Sequence, residues 1–200
     1  MSEAVSEFAP AKVNLTLKVG PPRADGYHPV ASIVAFADWG DTLGARPDDA
    51  LSLTLAGPGG DALEGAPGNL VLKAAYALRA AAGRPELGAA LSLEKHLPVA
   101  AGLGGGSADA AAALRLLNRL WDLGFSTRAL AEIGSAVGAD VPACVHARPL
   151  WMTGIGETIA PLVAWPALAV VIANPGVATP TGPVFAAYDA GAPQSLPSLR

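Results

Sequence analysis

Between Pro98 and Ala111 the chain reads PVAAGLGGGSADAA, with four glycines inside five residues and then a serine, an aspartate and a run of alanines. Glycine lets a backbone turn its N–H groups inward, and successive inward amides make a nest for an anion. The alanine-rich stretch that follows predicts a helix opening near Ser107, whose positive end points at the same spot. Ser107 adds a hydroxyl that reaches a phosphate or its Mg²⁺. Two familiar phosphate loops do not fit. A Walker A loop needs a lysine directly after its last glycine, and no Gly-Lys pair occurs in the chain. A dinucleotide fingerprint needs a third glycine where Ser107 stands, and an acid about twenty residues on at the end of a strand. The nearest later acid, Asp122, falls inside a predicted helix. A flexible turn is the plain alternative, but such turns rarely run straight into a long helix.

The elements that must position this loop are legible as hydrophobic periodicity. KVNLTLKV, residues 12 to 19, alternates and predicts a half-buried strand with Lys12, Asn14, Thr16 and Lys18 on its polar face. A turn-rich loop ends in Tyr27 and His28, and Val30 to Phe36 predicts a second strand. Asp41 to Gly44 and Ala50 to Leu55 suggest short further strands, and Gly57 to Gly68 a loop. Asn69 is placed to cap a helix through LVLKAAYALRAAAG. Ala90 to Glu94 predicts a strand, Ser107 to Leu123 a helix with Leu114, Leu117, Leu120 and Trp121 on one face, and Ser126 or Thr127 the start of another. Asp140 precedes VPACV as a plausible cap with proline in the first turn. LWMTGIGETIAPL predicts a hairpin and Leu168 to Ile172 a buried strand. From Asn174 on, proline and glycine return without a closing element. The order is strands, helices, strands: an α+β domain, without internal repeats.

Composition limits the function. Of 200 residues 52% are hydrophobic and 15% charged, so a sizeable core is available. Much of that apolar content is alanine, which favours helix more than it fills a core. The net charge of −4 and lack of a basic run argue against nucleic acid or an anionic membrane as partner. Phosphate would have to be held by backbone amides and a few cations. The N-terminus lacks the pattern of a signal peptide, and no apolar run is long enough to span a bilayer. The single cysteine, Cys144, sits in apolar PACVHA and reads as buried and structural, which fits a reducing cytoplasm.

The loop also resembles a family. P-x-x-x-G-L-G-G-G-S is similar to the ATP loop of the GHMP kinases, which include galactokinase, homoserine kinase and mevalonate kinase. PAKVNLTLKV resembles the family's N-terminal strand, RADGYHPVAS an R-x-D-G-Y-H segment, KHLPVAAGLGGGSADAAAALRLLNRLW its loop and helix, and VGADVPACV its G-x-D-V-P segment. Together they cover most of residues 9 to 157. DGYH singles out the branch acting on a cytidylylated methylerythritol.

The resemblance implies an N-terminal kinase domain of the ribosomal protein S5 domain 2-like fold over residues 1–160, with residues 161–200 beginning a second α+β domain. It implies ATP and Mg²⁺, a cytidylylated methylerythritol as small-molecule substrate, a cytoplasmic setting, and a monomer or homodimer. It carries Asp140 over as general base and Lys12 as its electrostatic partner. Pro98, Val99, Ala100, Ala101, Gly102, Leu103, Gly104, Gly105, Gly106, Ser107, Ala108 and Asn69 become ATP contacts, with Ser107 toward Mg²⁺. Asn14, Tyr27, His28 and Phe185 become substrate contacts, Tyr27 and Phe185 flanking the cytosine. His96 and His146 are left structural, and Asp109 as a favourable charge at the helix start. Two departures stand out: Ala108 replaces a second serine after the glycines, and the family's C-terminal half is mostly missing, as in a fragment or a truncated chain. Two other readings stay open: another small-molecule GHMP kinase, against which DGYH speaks, and a non-catalytic ATP-binding module.

Overall fold

A computed structural model of the chain describes residues 5–60, 68–174, 177, 179 and 181–191. Six strands form one mixed sheet: β1 (Val5–Val19), β2 (Val30–Asp48), β3 (Leu51–Ala56), β4 (Gly88–Glu94), β5 (Leu150–Thr153) and β6 (Thr158–Pro161). The order is β3-β4-β2-β5-β6, with β1 paired to β2. β2 is the spine. It pairs antiparallel with β1 along its length, with β4 over Thr42–Asp48 and with β5 over Ser32–Val34. β3 and β4 are parallel, so the chain must cross over between them, and α1 (Leu70–Ala81) makes that crossing.

The other helices are α2 (Gly105–Leu120), α3 (Thr127–Ser135), α4 (Val141–His146) and α5 (Thr181–Ala190). α2 runs against β1 and β2, flanked by α1, α3 and α4. Its five alanines Ala108, Ala110, Ala111, Ala112 and Ala113 are at most 1% exposed, packed with Leu114, Leu116 and Leu117. Alanine therefore does more here than favour helix: small side chains let the helix that opens at the glycine loop lie close on the sheet. The expected caps of α1 and α3 form, with Asn69 Oδ1 accepting from Val71 N at 2.9 Å and Ser126 Oγ from Ala129 N at 3.3 Å.

The α+β class and most elements match the reading of the sequence, with five corrections. Residues 30–36 and 41–44 belong to one strand, because β2 continues through Trp39 and Gly40 while paired to β1. β1 begins at Val5, and its expected polar face does not keep to one side: Lys12 is buried and Asn14 partly buried, while Thr16 and Lys18 are exposed. Lys12 is 4% exposed while Leu17 is 53% exposed, since bulges after Pro10 and Asn14 break the strict alternation. α2 opens at Gly105 rather than Ser107. Leu168–Ile172 forms no strand among the described residues. No described strand lies alongside it, and Val171 is 96% exposed. Apolar composition alone cannot make a strand without a neighbour's backbone to pair with. Finally, the proline- and glycine-rich stretch after Asn174 does contain an element, α5. Residues 61–67 of the expected Gly57–Gly68 loop lie outside the described residues.

Leu117→Ala should cost about 2–5 kcal/mol in chemical denaturation, as expected for a fully buried leucine. Leu168→Ala, on the exposed segment, should stay within about 0.5 kcal/mol of the parent.

Candidate active site

The glycine loop is fastened to the first strand by one backbone hydrogen bond, from Lys12 N to Leu103 O at 2.9 Å. Gly104 then takes a left-handed conformation, φ +62°, as the N-cap of α2. A Cβ there would also fall 3.0 Å from Lys12 Cβ, so conformation and space both demand glycine. At Gly105 a Cβ would meet Lys95 Nζ at 3.0 Å. The first amides of a helix have no intrahelical acceptor, which leaves those of Gly105, Gly106 and Ser107 at the positive end of α2. Ala108 is different. Its N–H already donates to Gly104 O at 2.8 Å and its side chain is buried, so it belongs to the helix and not to the cradle.

Beside the cradle, Lys12 Nζ donates to Asn14 Oδ1 at 2.9 Å and lies 3.4 Å from Asp140 Oδ1. Asn14 in turn donates from Nδ2 to Ser32 Oγ at 2.6 Å, which ties the pair to β2. Asp140 is the N-cap residue of α4 by position only. Its backbone is αR rather than extended, and its carboxylate makes no capping hydrogen bond. The side chain is 42% exposed, facing the cleft with an ammonium beside it. Lys12 itself is only 5% exposed, so the pair is open to water on the carboxylate side alone. What the geometry places there is a carboxylate open to the cleft with an ammonium beside it.

A second, buried cluster lies under the loop. Lys95 Nζ donates to Asp109 Oδ2 at 2.7 Å and to Asp41 Oδ2. Asp41 Oδ1 accepts the backbone N–H groups of His96 at 2.6 Å and Leu97 at 2.8 Å. One ammonium is thus shared by two buried carboxylates, and among the described residues Asp109 Oδ1 has no hydrogen-bond partner. Burial pushes the Asp109 carboxyl up to about 7, against the pull of Lys95 and with repulsion from Asp41 adding to the rise. Asp109 is therefore more than a charge favouring a helix dipole. Lys95 opens the KHLP stretch, but nothing local in the sequence pairs it with Asp41, which lies 54 residues earlier. Cys144 is buried as expected, its thiol pushed up to about 12 by burial.

At the far end of the cleft, His28 is 8% exposed, and its Nδ1 donates to Gly20 O at 2.9 Å. That leaves Nε2 facing outward, 3.4 Å from Asp189 Oδ2. Phe185 packs on the His28 ring at 4.7 Å between centroids, tilted by 34°. Tyr188 meets it edge-on and donates its hydroxyl to Val19 O. Tyr27 is exposed on the cleft wall. The ring that Phe185 touches is thus that of His28.

One cleft of about 950 Å³ joins these parts. Its lining contains Lys12, Asn14, Tyr27, His28, every residue from Pro98 to Ser107, Asp140 and Phe185. Ala108 and Asn69 are not in it. Asn69 spends its side chain on capping α1. Among the described residues no group of three or more His, Cys, Asp or Glu side chains is placed to hold a metal. What the site offers Mg²⁺ is the Ser107 hydroxyl. That suits an ion held mainly by nucleotide phosphates and water, as Mg²⁺ usually is.

Residues 69–148 match the N-terminal domain of the GHMP kinases. A 4-diphosphocytidyl-2-C-methyl-D-erythritol kinase of Parvibaculum lavamentivorans is 50% identical over 198 residues, 99% of this chain and 68% of the relative. One from Cereibacter sphaeroides is 52% identical over 188 residues, covering 94% of this chain and 63% of its own length. The chain belongs to the GHMP kinase family. A crystal structure of 4-(cytidine 5'-diphospho)-2C-methyl-D-erythritol kinase superimposes with a TM-score of 0.65 at 37% identity, over 79% of this chain and 55% of that one. The chain thus spans roughly two thirds of its relatives' length.

The buried cluster gives a measurable signature. Asp109 holds its proton in the folded state up to about 7, against an ordinary value of 3.8, so the folded state binds more protons between these values. Its contribution to stability therefore falls as pH rises from about 4 to about 7. In denaturation at a series of pH values, the parent should lose stability relative to Asp109→Asn across this window. A constant difference would show that Asp109 does not titrate there.

Proposed function

We propose that the chain carries the ATP-binding and catalytic part of a kinase that phosphorylates the 2-hydroxyl of 4-diphosphocytidyl-2-C-methyl-D-erythritol, in the non-mevalonate route to isoprenoid precursors. The observation that carries this reading is the Asp140 carboxylate, unspent on its helix, 3.4 Å from Lys12 and in the same cleft as the glycine loop. The names and identities of the relatives support the substrate. The domain boundary belongs to the same proposal: residues 1–160 form the catalytic unit and 161–200 lead into a second. In support, β6 ends at Pro161 and the chain then runs to residue 174 without helix or strand.

Phosphoryl transfer asks the protein mainly for positioning and charge stabilisation. The amides of Gly105, Gly106 and Ser107 hold the ATP phosphates at the helix terminus. Asp140 accepts the proton of the 2-hydroxyl as that oxygen bonds to the γ-phosphorus. The bond from γ-phosphorus to the β–γ bridging oxygen breaks, and ADP departs. Lys12 offsets charge on the moving phosphoryl beside the Asp140 carboxylate. Mg²⁺, bound with ATP near Ser107, would neutralise phosphate charge. Asn14 orients Lys12 on the strand. Tyr27 offers an exposed ring for the cytosine face. His28, fixed through Nδ1, presents Nε2 to the base edge, and Phe185 lies across that end.

A coupled ADP-release assay on the intact protein, with the cytidylylated methylerythritol, homoserine and mevalonate as rival acceptors, tests the reading. Turnover of the first alone is expected. Turnover of either rival alone refutes it, and ATP binding without transfer to any acceptor favours a non-catalytic module. Asp140→Asn should lower kcat by about 10²–10⁴-fold while ATP still binds, the usual range for a lost general base. Tyr27→Ala should raise KM for the cytidylyl acceptor roughly tenfold or more and leave that for ATP nearly unchanged, since one base–aromatic stack is worth about 1–3 kcal/mol. Equal effects on both would remove Tyr27 from the cytosine site.

A further inference from the structure

Three elements must keep their relative placement for this chemistry: β1 with Lys12, α4 with Asp140 at its start, and α2 with the phosphate cradle at its start. They meet a second time at one side chain. Arg115 lies ten residues along α2 from Gly105, about 15 Å at 1.5 Å per residue. Its guanidinium is 16% exposed and donates in three directions. Nε donates to Glu7 Oε1 at 2.6 Å and Nη2 to Phe8 O at 3.0 Å, both on β1. Nη1 donates to Cys144 O at 2.8 Å and Val145 O at 3.4 Å, both on α4.

We infer that Arg115 is a positioning residue for phosphoryl transfer: by clamping β1 and α4 to α2, it sets the separation of Lys12 and Asp140. This rests on the function proposed above. α4 is a six-residue helix, too short to hold its own orientation, and its last carbonyls have no intrahelical donors. Arg115 supplies donors to those carbonyls. Cys144 N in turn donates to Asp140 O at 3.1 Å, so the clamp is one helical turn from the carboxylate. On β1, Phe8 is four residues from Lys12, with the Pro10/Lys12 bulge between them. β2 pairs with β1 on both sides of that bulge, and two further bonds tie β1 to the elements packed on it there. Lys12 N on Leu103 O is the bond on one side, and Phe8 O on Arg115 the bond on the other. Glu7 is itself fixed, its Oε2 held by Arg119 Nη2 at 2.6 Å. The planar fork of arginine is what spans three directions at once, and lysine cannot reproduce it.

The test is Arg115→Lys in the intact protein, with Arg119→Lys as a control that touches Glu7 but no carbonyl of α4. Arg115→Lys should lengthen the Lys12–Asp140 separation in a crystal structure by about 1 Å and lower kcat by roughly 10–100-fold, the scale of a remote misplacement. KM for ATP should stay within about twofold, because the cradle amides open α2 itself and move with the Lys12 N–Leu103 O bond. Arg119→Lys, which reaches β1 through Glu7 and Ser6 O but no carbonyl of α4, should lower kcat less than Arg115→Lys and leave the Lys12–Asp140 separation unchanged. A retained 3.4 Å separation with parental kcat overturns the inference. So does a kcat loss matched by an equal rise in KM for ATP, which would mark general loosening. If Arg115→Lys does not fold, Glu7→Gln reads the same coupling. It should lower kcat several-fold at unchanged KM for ATP, and a parental kcat overturns the inference. Absence of turnover by the parent on the cytidylylated acceptor would refute the proposed function, yet the Lys12–Asp140 distance in the variant would still decide the role of Arg115.

Discussion

The hydrogen bond from Lys12 N to Leu103 O fixes the geometry on which the rest of the site depends. A cradle made of main-chain amides has no side chains to adjust, so its position must come from the strand it is pinned to. The same residue sends its side chain toward Asp140. Backbone and side chain of one lysine thus reference the phosphate cradle and the cleft carboxylate to a single point on β1. Gly104 is the consequence, since the approach that permits this bond leaves no room for a Cβ over Lys12.

Charge is arranged in two layers around that point. In the cleft, the Lys12 side chain is 5% exposed and the Asp140 side chain it meets is 42% exposed, so the pair opens to water on the carboxylate side. Beneath the loop, Lys95 is enclosed with Asp41 and Asp109, where an unpaired charge would be costly. The buried cluster joins β2, the end of β4 and the first turns of α2, so it braces the helix terminus from below. Burial, with repulsion from Asp41 adding to it, is what keeps a proton on Asp109 to about neutrality.

The opposite end of the cleft is assembled from segments remote in sequence. Gly20 O sets which nitrogen of His28 faces out, while Phe185, Tyr188 and Asp189 close on that ring from α5. The DGYH segment alone could not announce this. Its neighbours arrive 160 residues later, on a helix that a proline- and glycine-rich stretch did not suggest.

Local patterns made most elements legible. Alternation gave β1, caps at Asn69 and Ser126 gave α1 and α3, and glycines followed by alanines gave the cradle and α2. The glycine loop and the helix it opens were legible for the same reason, because glycine spacing and a helix start are local features. Two kinds of information were not local. One was strand context: β2 is a single strand only because β1 runs beside it, and residues 168–172 are no strand because nothing described does. The other was convergence. Residue types at 12 and 140 permit an ion pair, and those at 41, 95, 109 and 115 permit a buried cluster and a clamp. Only packing α2 closely on the sheet, through a face of alanines, brings these distant side chains within reach of one another.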